Sequence, residues 1–74
     1  MTPQEQADYK RQWMMTNPYE VNFHSDLHRK AIAWCKENVA PESYVLHKWS
    51  SVYIHTMYFE NSADAINFKK SIVF

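Results

Sequence analysis

The 74-residue sequence contains no glycine. This absence excludes the glycine-rich loops that wrap phosphate groups in P-loop enzymes and in dinucleotide-binding enzymes. It also means that any position with a positive φ angle must be filled by another residue, and asparagine tolerates that conformation best. We expect Asn17, Asn38 and Asn61 to take this role, because all three fall at predicted element boundaries.

Cysteine is almost as scarce, and the formal net charge is zero. Cys35 stands alone, so no disulfide can form within the chain, and we expect a reducing cytoplasm, the host cytoplasm if the source is viral. The balanced charge argues against nucleic acid as a partner, because phosphate binding needs a basic surface. Neither a secretion signal nor a membrane-spanning run is recognisable, so we expect no membrane association.

Aromatic residues, by contrast, are plentiful, with three Trp, five Tyr and four Phe. A domain of this length buries only ~60% of the surface that its unfolded chain exposes. Its core must therefore be rich in large side chains, and any aromatics left outside predict a surface that binds a partner. We expect an N-terminal helix over residues 1–17 and a single α+β domain over residues 18–74.

The first predicted helix has a distinct start and a distinct stop. Thr2 is the expected N-cap, Pro3 the first helical residue, and Glu5 completes a capping box. Asn17 and Pro18 end the helix near residue 15 or 16, because the residue before a proline avoids the α conformation.

Two further helices are expected. Ser25 is the predicted N-cap of the second helix and Asn38 its C-terminal cap; its buried stripe consists of Leu27, Ala31, Trp34 and Cys35, widened by Ile32. Asn61 is the predicted N-cap of the third helix, whose buried side consists of Ala65, Phe68 and Ile72. Residues 72–74 fit either a last helical turn or a short edge strand.

Three strands are predicted from alternating apolar residues, over Tyr19–Phe23, Tyr44–Trp49 and Val52–Phe59, with the last two joined as a hairpin at Ser50 and Ser51. The element order after Pro18 is β-α-β-β-α, with an optional final strand. This is the order of the ferredoxin-like split βαβ arrangement. The prediction is an antiparallel sheet of three or four strands, with two helices on one face and the N-terminal helix in addition.

Side chains alternate along a strand, so parity assigns the hairpin residues to two faces. The helix-covered face receives Phe59, which directly precedes the third helix, together with Met57, His55 and Tyr53; a two-residue loop adds Tyr44, Leu46 and Lys48. The opposite face is unusually apolar and consists of Glu20, Asn22, Val45, His47, Trp49, Val52, Ile54, Thr56 and Tyr58. Three interpretations stay open: the N-terminal helix covers it through Tyr9 and Trp13, a second copy binds there, or a foreign partner does.

No constellation of a nucleophile, a base and an oxyanion site is recognisable, so we predict neither an enzyme nor a cofactor. His24 and His28 have a spacing that suits a metal ion, but zinc needs a third ligand, and His47 and His55 fall on opposite faces of the hairpin. We therefore predict no metal site. Cys35 lies in an apolar stripe and is predicted to be a buried, inert thiol.

The segment from Tyr58 to Lys70, YFENSADAINFKK, resembles a strand-to-helix junction of small accessory proteins encoded by tailed bacteriophages. In those proteins an aromatic strand runs into an acidic cap and then into a D-A-x-x-F-K helix. The resemblance implies a protein that occupies the surface of a host enzyme and so inhibits or modulates it.

The same junction is similar to the end of the third strand of RNA-recognition motifs. Proteins of that family stack bases on open-face aromatic residues, with a basic residue nearby. The matching positions here hold Ile54 and Thr56, and the predicted open face has no Lys or Arg. This departure argues against RNA as the ligand.

Together these features predict a small, non-enzymatic protein-binding module. Trp and Tyr are frequent interface hot spots, so the predicted partner-binding residues are Trp49, Tyr58, Ile54, Val52, His47, Val45 and Trp13. One alternative is a self-assembling structural protein of a virion or filament, which predicts a homo-oligomer. A second alternative is a protein that binds single-stranded nucleic acid.

Overall fold

The computed structural model describes residues 1–47 and 53–74 of the chain. Within these ranges the α-helices are α1 (Pro3–Met14), α2 (His28–Asn38) and α3 (Ser62–Phe68), and the strands are β1 (Tyr19–His24), β2 (Tyr44–His47) and β3 (Ile54–Phe59). Short 3-10 turns at Ser25–Leu27 and Pro41–Ser43 lead into α2 and β2. The fold is α+β, as predicted. None of the helices in the described ranges is long and apolar enough to span a bilayer.

The predicted start of α1 is confirmed. The Thr2 hydroxyl accepts a hydrogen bond from the Glu5 amide at 3.2 Å, and the Glu5 carboxylate accepts one from the Thr2 amide at 3.4 Å. After α1, Asn17 has a φ of 54°, the only positive value in the described part of the chain. The prediction for Asn17 is therefore confirmed, whereas Asn38 and Asn61 keep negative φ angles.

The predicted cap of α2 is wrong. Strand β1 continues through His24, and the Ser25 amide still donates across the sheet to the Tyr53 carbonyl at 2.8 Å. His24 caps the 3-10 turn instead, with its Nδ1 accepting from the Asp26 amide at 3.1 Å. Helix α2 begins only at His28 and has no side-chain cap at its start. Ser25 is thus held by the sheet and cannot act as the cap.

The three strands form one antiparallel sheet in the order β1-β3-β2. Both outer strands pair with β3, with Tyr19 and Tyr44 opposite Phe59 and with Val21 and Leu46 opposite Met57. A two-residue loop at Ser50 and Ser51 would shift β2 along β3 by two residues. Such a shift keeps every side chain on the same face, so the face assignment of the described β2 residues is confirmed for either loop length. The loop itself lies outside the described residues.

The core lies between the sheet and helices α2 and α3. Its central side chain is Phe68 of α3, whose ring contacts Phe23, Trp34 and Phe59 at centroid distances of 5.6, 5.6 and 5.2 Å. The buried residues around it are Val21, Phe23, Ala31, Cys35, Val39, Met57, Phe59 and Ala65. The predicted core residues Leu27, Trp34, Tyr44, Leu46 and Ile72 are partly buried against this cluster.

The far end of β3 departs from the parity assignment. Tyr53 was expected on the core side, but it lies in a bend before β3 and is 67% exposed. Its ring stacks on His24 at 6.4 Å. His55 does lie on the helix side, half-buried, with its ring edge-on to Phe23 at 5.9 Å. The alternation of side chains between the two faces of the sheet therefore holds within β3 and not for Tyr53, which precedes it.

The C-terminus is helical. Residues Lys69–Val73 continue α3 as a π-helical turn, in which the Phe74 amide donates to the Lys69 carbonyl at 2.9 Å. The alternative of a short edge strand over residues 72–74 is therefore excluded. As a consequence, the described part of the chain places no strand beside the outer edge of β1.

Candidate functional site

The candidate site is the face of the sheet that points away from α2 and α3, here called the open face. Its described residues lie in cross-strand rows: Glu20, Tyr58 and Val45 form the first row, and Asn22, Thr56 and His47 form the second. Ile54 pairs with His24 in a third row. The pairing thus brings together four of the seven predicted partner-binding residues: Tyr58, Ile54, His47 and Val45. Trp49 and Val52 lie outside the described residues, and Trp13 belongs to α1.

The open face is partly exposed and carries both apolar and polar side chains. Ile54 is 37% exposed and His47 is also exposed, whereas Val45 and Tyr58 are half-buried. The His47 and Tyr58 rings meet edge-on at 6.2 Å. A sheet surface that combines partly exposed aliphatic side chains with rings is typical of a contact surface for another macromolecule. Here the aliphatic side chains are Ile54 and Val45, and the rings are His47 and Tyr58.

One open-face residue is not exposed at all. Thr56 is completely buried, and its hydroxyl donates to the Asn22 side-chain oxygen at 2.7 Å. The bond joins β1 to β3 on the side of the sheet opposite the core. Buried polar groups that are paired in this way add specificity to strand pairing without the cost of an unmade hydrogen bond.

Helix α1 docks at one end of the sheet. The Trp13 indole N–H donates to the Glu42 carbonyl at 2.8 Å, and the Tyr9 hydroxyl donates to the Glu60 carboxylate. Glu60 also accepts from the Ser43 hydroxyl at 3.0 Å, so one carboxylate joins α1 to the start of β2 and the end of β3. The hydrogen bond to Glu60 raises the pKa of Tyr9.

These contacts decide the role of two residues in α1. Trp13 is only 7% exposed and holds α1 against the turn at Pro41–Ser43, so it is not part of the exposed surface. The expectation that Tyr9 and Trp13 lay α1 across the open face is corrected accordingly, because both side chains bond to residues at the end of the sheet. Trp13 was predicted to bind a partner, and in the single chain it binds α1 to its own domain.

The four histidines divide between the two faces. His28 at the start of α2 and His55 of β3 approach with their Nδ1 atoms 3.1 Å apart and their rings perpendicular, on the helix side. His47 lies on the open face, and His24 caps the turn after β1. In the described ranges no group of three or more His, Cys, Asp or Glu side chains is placed to hold a metal ion.

Cys35 is buried in the core, as predicted. Burial, aided by the nearby Asp64 carboxylate, raises the pKa of its thiol to about 12. The thiolate is the nucleophilic form of cysteine, so the thiol of the folded chain is unreactive near neutral pH. The described part of the chain also encloses no pocket.

No protein-family model, no curated protein and no solved structure matches this chain. The site is accordingly defined by its own geometry alone. Three contacts, of which one lies on the open face, were not predicted from the sequence: the Asn22–Thr56 bond, the Glu60 link to α1 and the His28–His55 pair. The first could be found once the strand register is known, whereas the other two depend on how α1 and α2 pack against the sheet and carry no local signal.

Proposed function

We propose that this chain is a small, non-enzymatic protein-binding module that docks through the open face of its sheet. The observation that carries the proposal is the exposure of Ile54 and His47 beside half-buried Tyr58 and Val45 on the face that lacks helices. The large apolar side chains that the fold needs are already buried on the other face. Those on the open face are available for a partner.

The shape of the surface favours a macromolecule over a small ligand. Small-molecule sites are concave and bury most of the ligand, and the described part of this chain encloses no such cavity. A pleated sheet face presents several side chains in one plane, which suits a helix or a sheet of another protein.

The charges of the surface favour a protein over a nucleic acid. Among its described residues the open face carries the Glu20 carboxylate and no Lys or Arg. Binding of single-stranded nucleic acid combines stacking rings with a positively charged groove, and only the rings are present here. The likeness of residues 58–70 to a phage protein junction adds the proposal that the partner is a host protein, which the bound module inhibits or modulates.

We also propose that the fold is a ferredoxin-like arrangement without its fourth strand. The order β1-β3-β2, with β3 antiparallel to both neighbours and α2 between β1 and β2 in sequence, supports this assignment. A cytoplasmic location is proposed from the single free cysteine.

The experiment compares two surface substitutions of the same chemistry. Ile54→Asp places a charge on the open face, and Ile66→Asp places the same charge on α3, where Ile66 is 51% exposed. Each variant and the unaltered chain are immobilised, exposed to host lysate and read by quantitative mass spectrometry. Any specifically retained protein is then purified and its affinity is measured by calorimetry.

We expect a protein that the unaltered chain and Ile66→Asp retain equally. Its affinity for Ile54→Asp should be at least about tenfold weaker, because burying an unpaired charge in an interface costs free energy. Trp49→Ala, in the predicted site outside the described residues, should weaken the same complex. Equal retention by all variants, with circular dichroism showing intact folds, would contradict docking through the open face.

A further inference from the structure

The outer edge of β1 is the longest strand edge that the described chain leaves unpaired. β1 has six residues and pairs only with β3, and the C-terminal residues that could have formed a strand beside it are helical. An exposed edge presents a row of backbone donors and acceptors, which readily pair with another strand.

The direction of those backbone groups follows from one hydrogen bond. The Ser25 amide donates to the Tyr53 carbonyl, which makes these two residues a hydrogen-bonded pair of the antiparallel ladder. Bonded and non-bonded pairs alternate, so Tyr19, Val21 and Phe23 bond to β3. The amides and carbonyls of the intervening residues, Glu20, Asn22 and His24, therefore point outward from the sheet, and the His24 carbonyl also accepts the first bond of the 3-10 turn that it caps.

The other edge of the sheet is protected by comparison. β2 has four residues within the described part of the chain, and the Lys10 ammonium of α1 lies over the Tyr44 ring at 5.7 Å. Trp13 holds α1 against the turn that leads into β2. A short strand beside a lysine and a helix is a common way to block edge pairing. β1 has neither lysine nor proline within it.

We propose that β1 pairs with β1 of a second copy of this chain, antiparallel and centred on Asn22. In this register Glu20 of each copy lies opposite His24 of the other, so the Glu20 carboxylate, an acceptor, faces an imidazole whose Nδ1 already accepts from the Asp26 amide and whose Nε2–H is a donor. The outward groups at positions 20, 22 and 24 then form up to about six backbone hydrogen bonds across the interface, two of which share the His24 carbonyl with its 3-10 turn. The two sheets become one continuous sheet of six strands.

Helix α3 packs on β1 through the contact of Phe68 with Phe23. A partner strand that extends the sheet in the same plane carries its own α3 on the same face of the six-stranded sheet. The dimer does not rest on the function proposed for the open face, but it joins two open faces into one bivalent surface.

The first test removes a single outward donor. Glu20→Pro deletes an amide that makes no bond to β3, so the monomer should keep its fold, since proline is tolerated at strand edges. Glu20→Thr is the matched control, because it removes the carboxylate and keeps the amide. We expect sedimentation equilibrium to show a dimer of the unaltered chain whose dissociation constant rises at least about tenfold in Glu20→Pro and only a fewfold in Glu20→Thr.

The second test determines which residues of the two β1 strands lie opposite each other. In the proposed dimer the two copies of residue 22 are directly opposite at about 5.5 Å between Cα atoms, a distance that a disulfide can bridge. The two copies of residue 20 are far apart. Under mild oxidation Asn22→Cys should form a covalent dimer and Glu20→Cys should not, while the buried Cys35 stays reduced in both.

Any of three results would overturn the proposal. The first is a chain that remains monomeric at every concentration up to the solubility limit. The second is a dimer whose dissociation constant is the same for Glu20→Pro and Glu20→Thr. The third is a dimer that Glu20→Cys crosslinks as readily as Asn22→Cys. Because the open-face experiment uses Ile54→Asp, failure of that experiment leaves these outcomes unchanged, and the two proposals are tested separately.

Discussion

The two faces of this sheet are built by the same three strands, yet they differ in packing. On the helix side Met57 and Phe59 are completely buried, and the Phe68 ring touches three other aromatic rings. On the open side Ile54 is 37% exposed, and the buried contact is a hydrogen bond between Asn22 and Thr56. The comparison indicates that the free energy of folding is concentrated on the helix side. In the proposed function, residues of the open side are those that bind a partner.

The largest effect that tests this comparison is expected for Phe68→Ala. Phe68 is completely buried, and its loss leaves a cavity among Phe23, Trp34 and Phe59. Such truncations cost about 3–5 kcal/mol of unfolding free energy, a large part of the total for a small domain. Urea denaturation followed by circular dichroism measures the change, with thermal melting as a second readout if the variant is partly unfolded.

Ile54→Ala is the matched control for that measurement. Ile54→Ala removes a smaller apolar group, and from an exposed position, so we expect a loss of roughly 1 kcal/mol or less. A loss as large as that of Phe68→Ala would show that the open face belongs to the folding core. The proposed separation of folding and binding surfaces would then fail.

Much of the fold was predictable because helix capping, helix termination and strand alternation each follow from residues that are neighbours in sequence. The capping box at Thr2, the stop at Asn17 and the alternation of β1 and β3 each depend on neighbours in sequence, and the structure contains all of them. Face assignment does not depend on whether the hairpin loop has two residues or four, because side chains repeat with period two. The described residues of the open face could therefore be assigned from the sequence alone.

The features that escaped prediction depend on contacts between distant residues. Tyr9 and Glu60 are 51 positions apart, and nothing near either residue indicates that a hydroxyl and a carboxylate will meet. The placement of α1 at the end of the sheet follows from this bond and from that of Trp13. The cap at His24 was missed for a similar reason, since it requires β1 to continue one residue beyond its apolar alternation.

A smaller effect is expected from the titration of Cys35 on the helix side. Burial raises the pKa of this thiol from 9.0 to about 12, with Asp64 adding to the shift. Above pH 9 the unfolded chain releases the thiol proton while the folded chain keeps it, so the contribution of this group is complete below pH 9 and is lost as pH rises toward 12. At pH 10 the expected loss is on the order of 1 kcal/mol.

The measurement compares unfolding free energies at pH 8 and pH 10 for the unaltered chain and for Cys35→Ala. The raised pKa values of Tyr9 and Tyr44 lower stability at high pH in both proteins, so only the difference between the two slopes reports on Cys35. Equal slopes would mean that the thiol is accessible to solvent. In that case an alkylating reagent should also modify it in the folded chain at pH 8.

The smallest effect, and the one that refines the comparison of the two faces, is expected for Thr56→Val. The change keeps the shape of the side chain and removes the hydroxyl that donates to Asn22. Asn22 is exposed and can bond to water instead, so we expect a loss of about 1 kcal/mol or less. Asn22→Ala and the double variant complete a cycle that isolates the pair. A coupling energy near zero would leave the open face with no stabilising role, whereas a coupling above about 2 kcal/mol would make this bond part of the folding core.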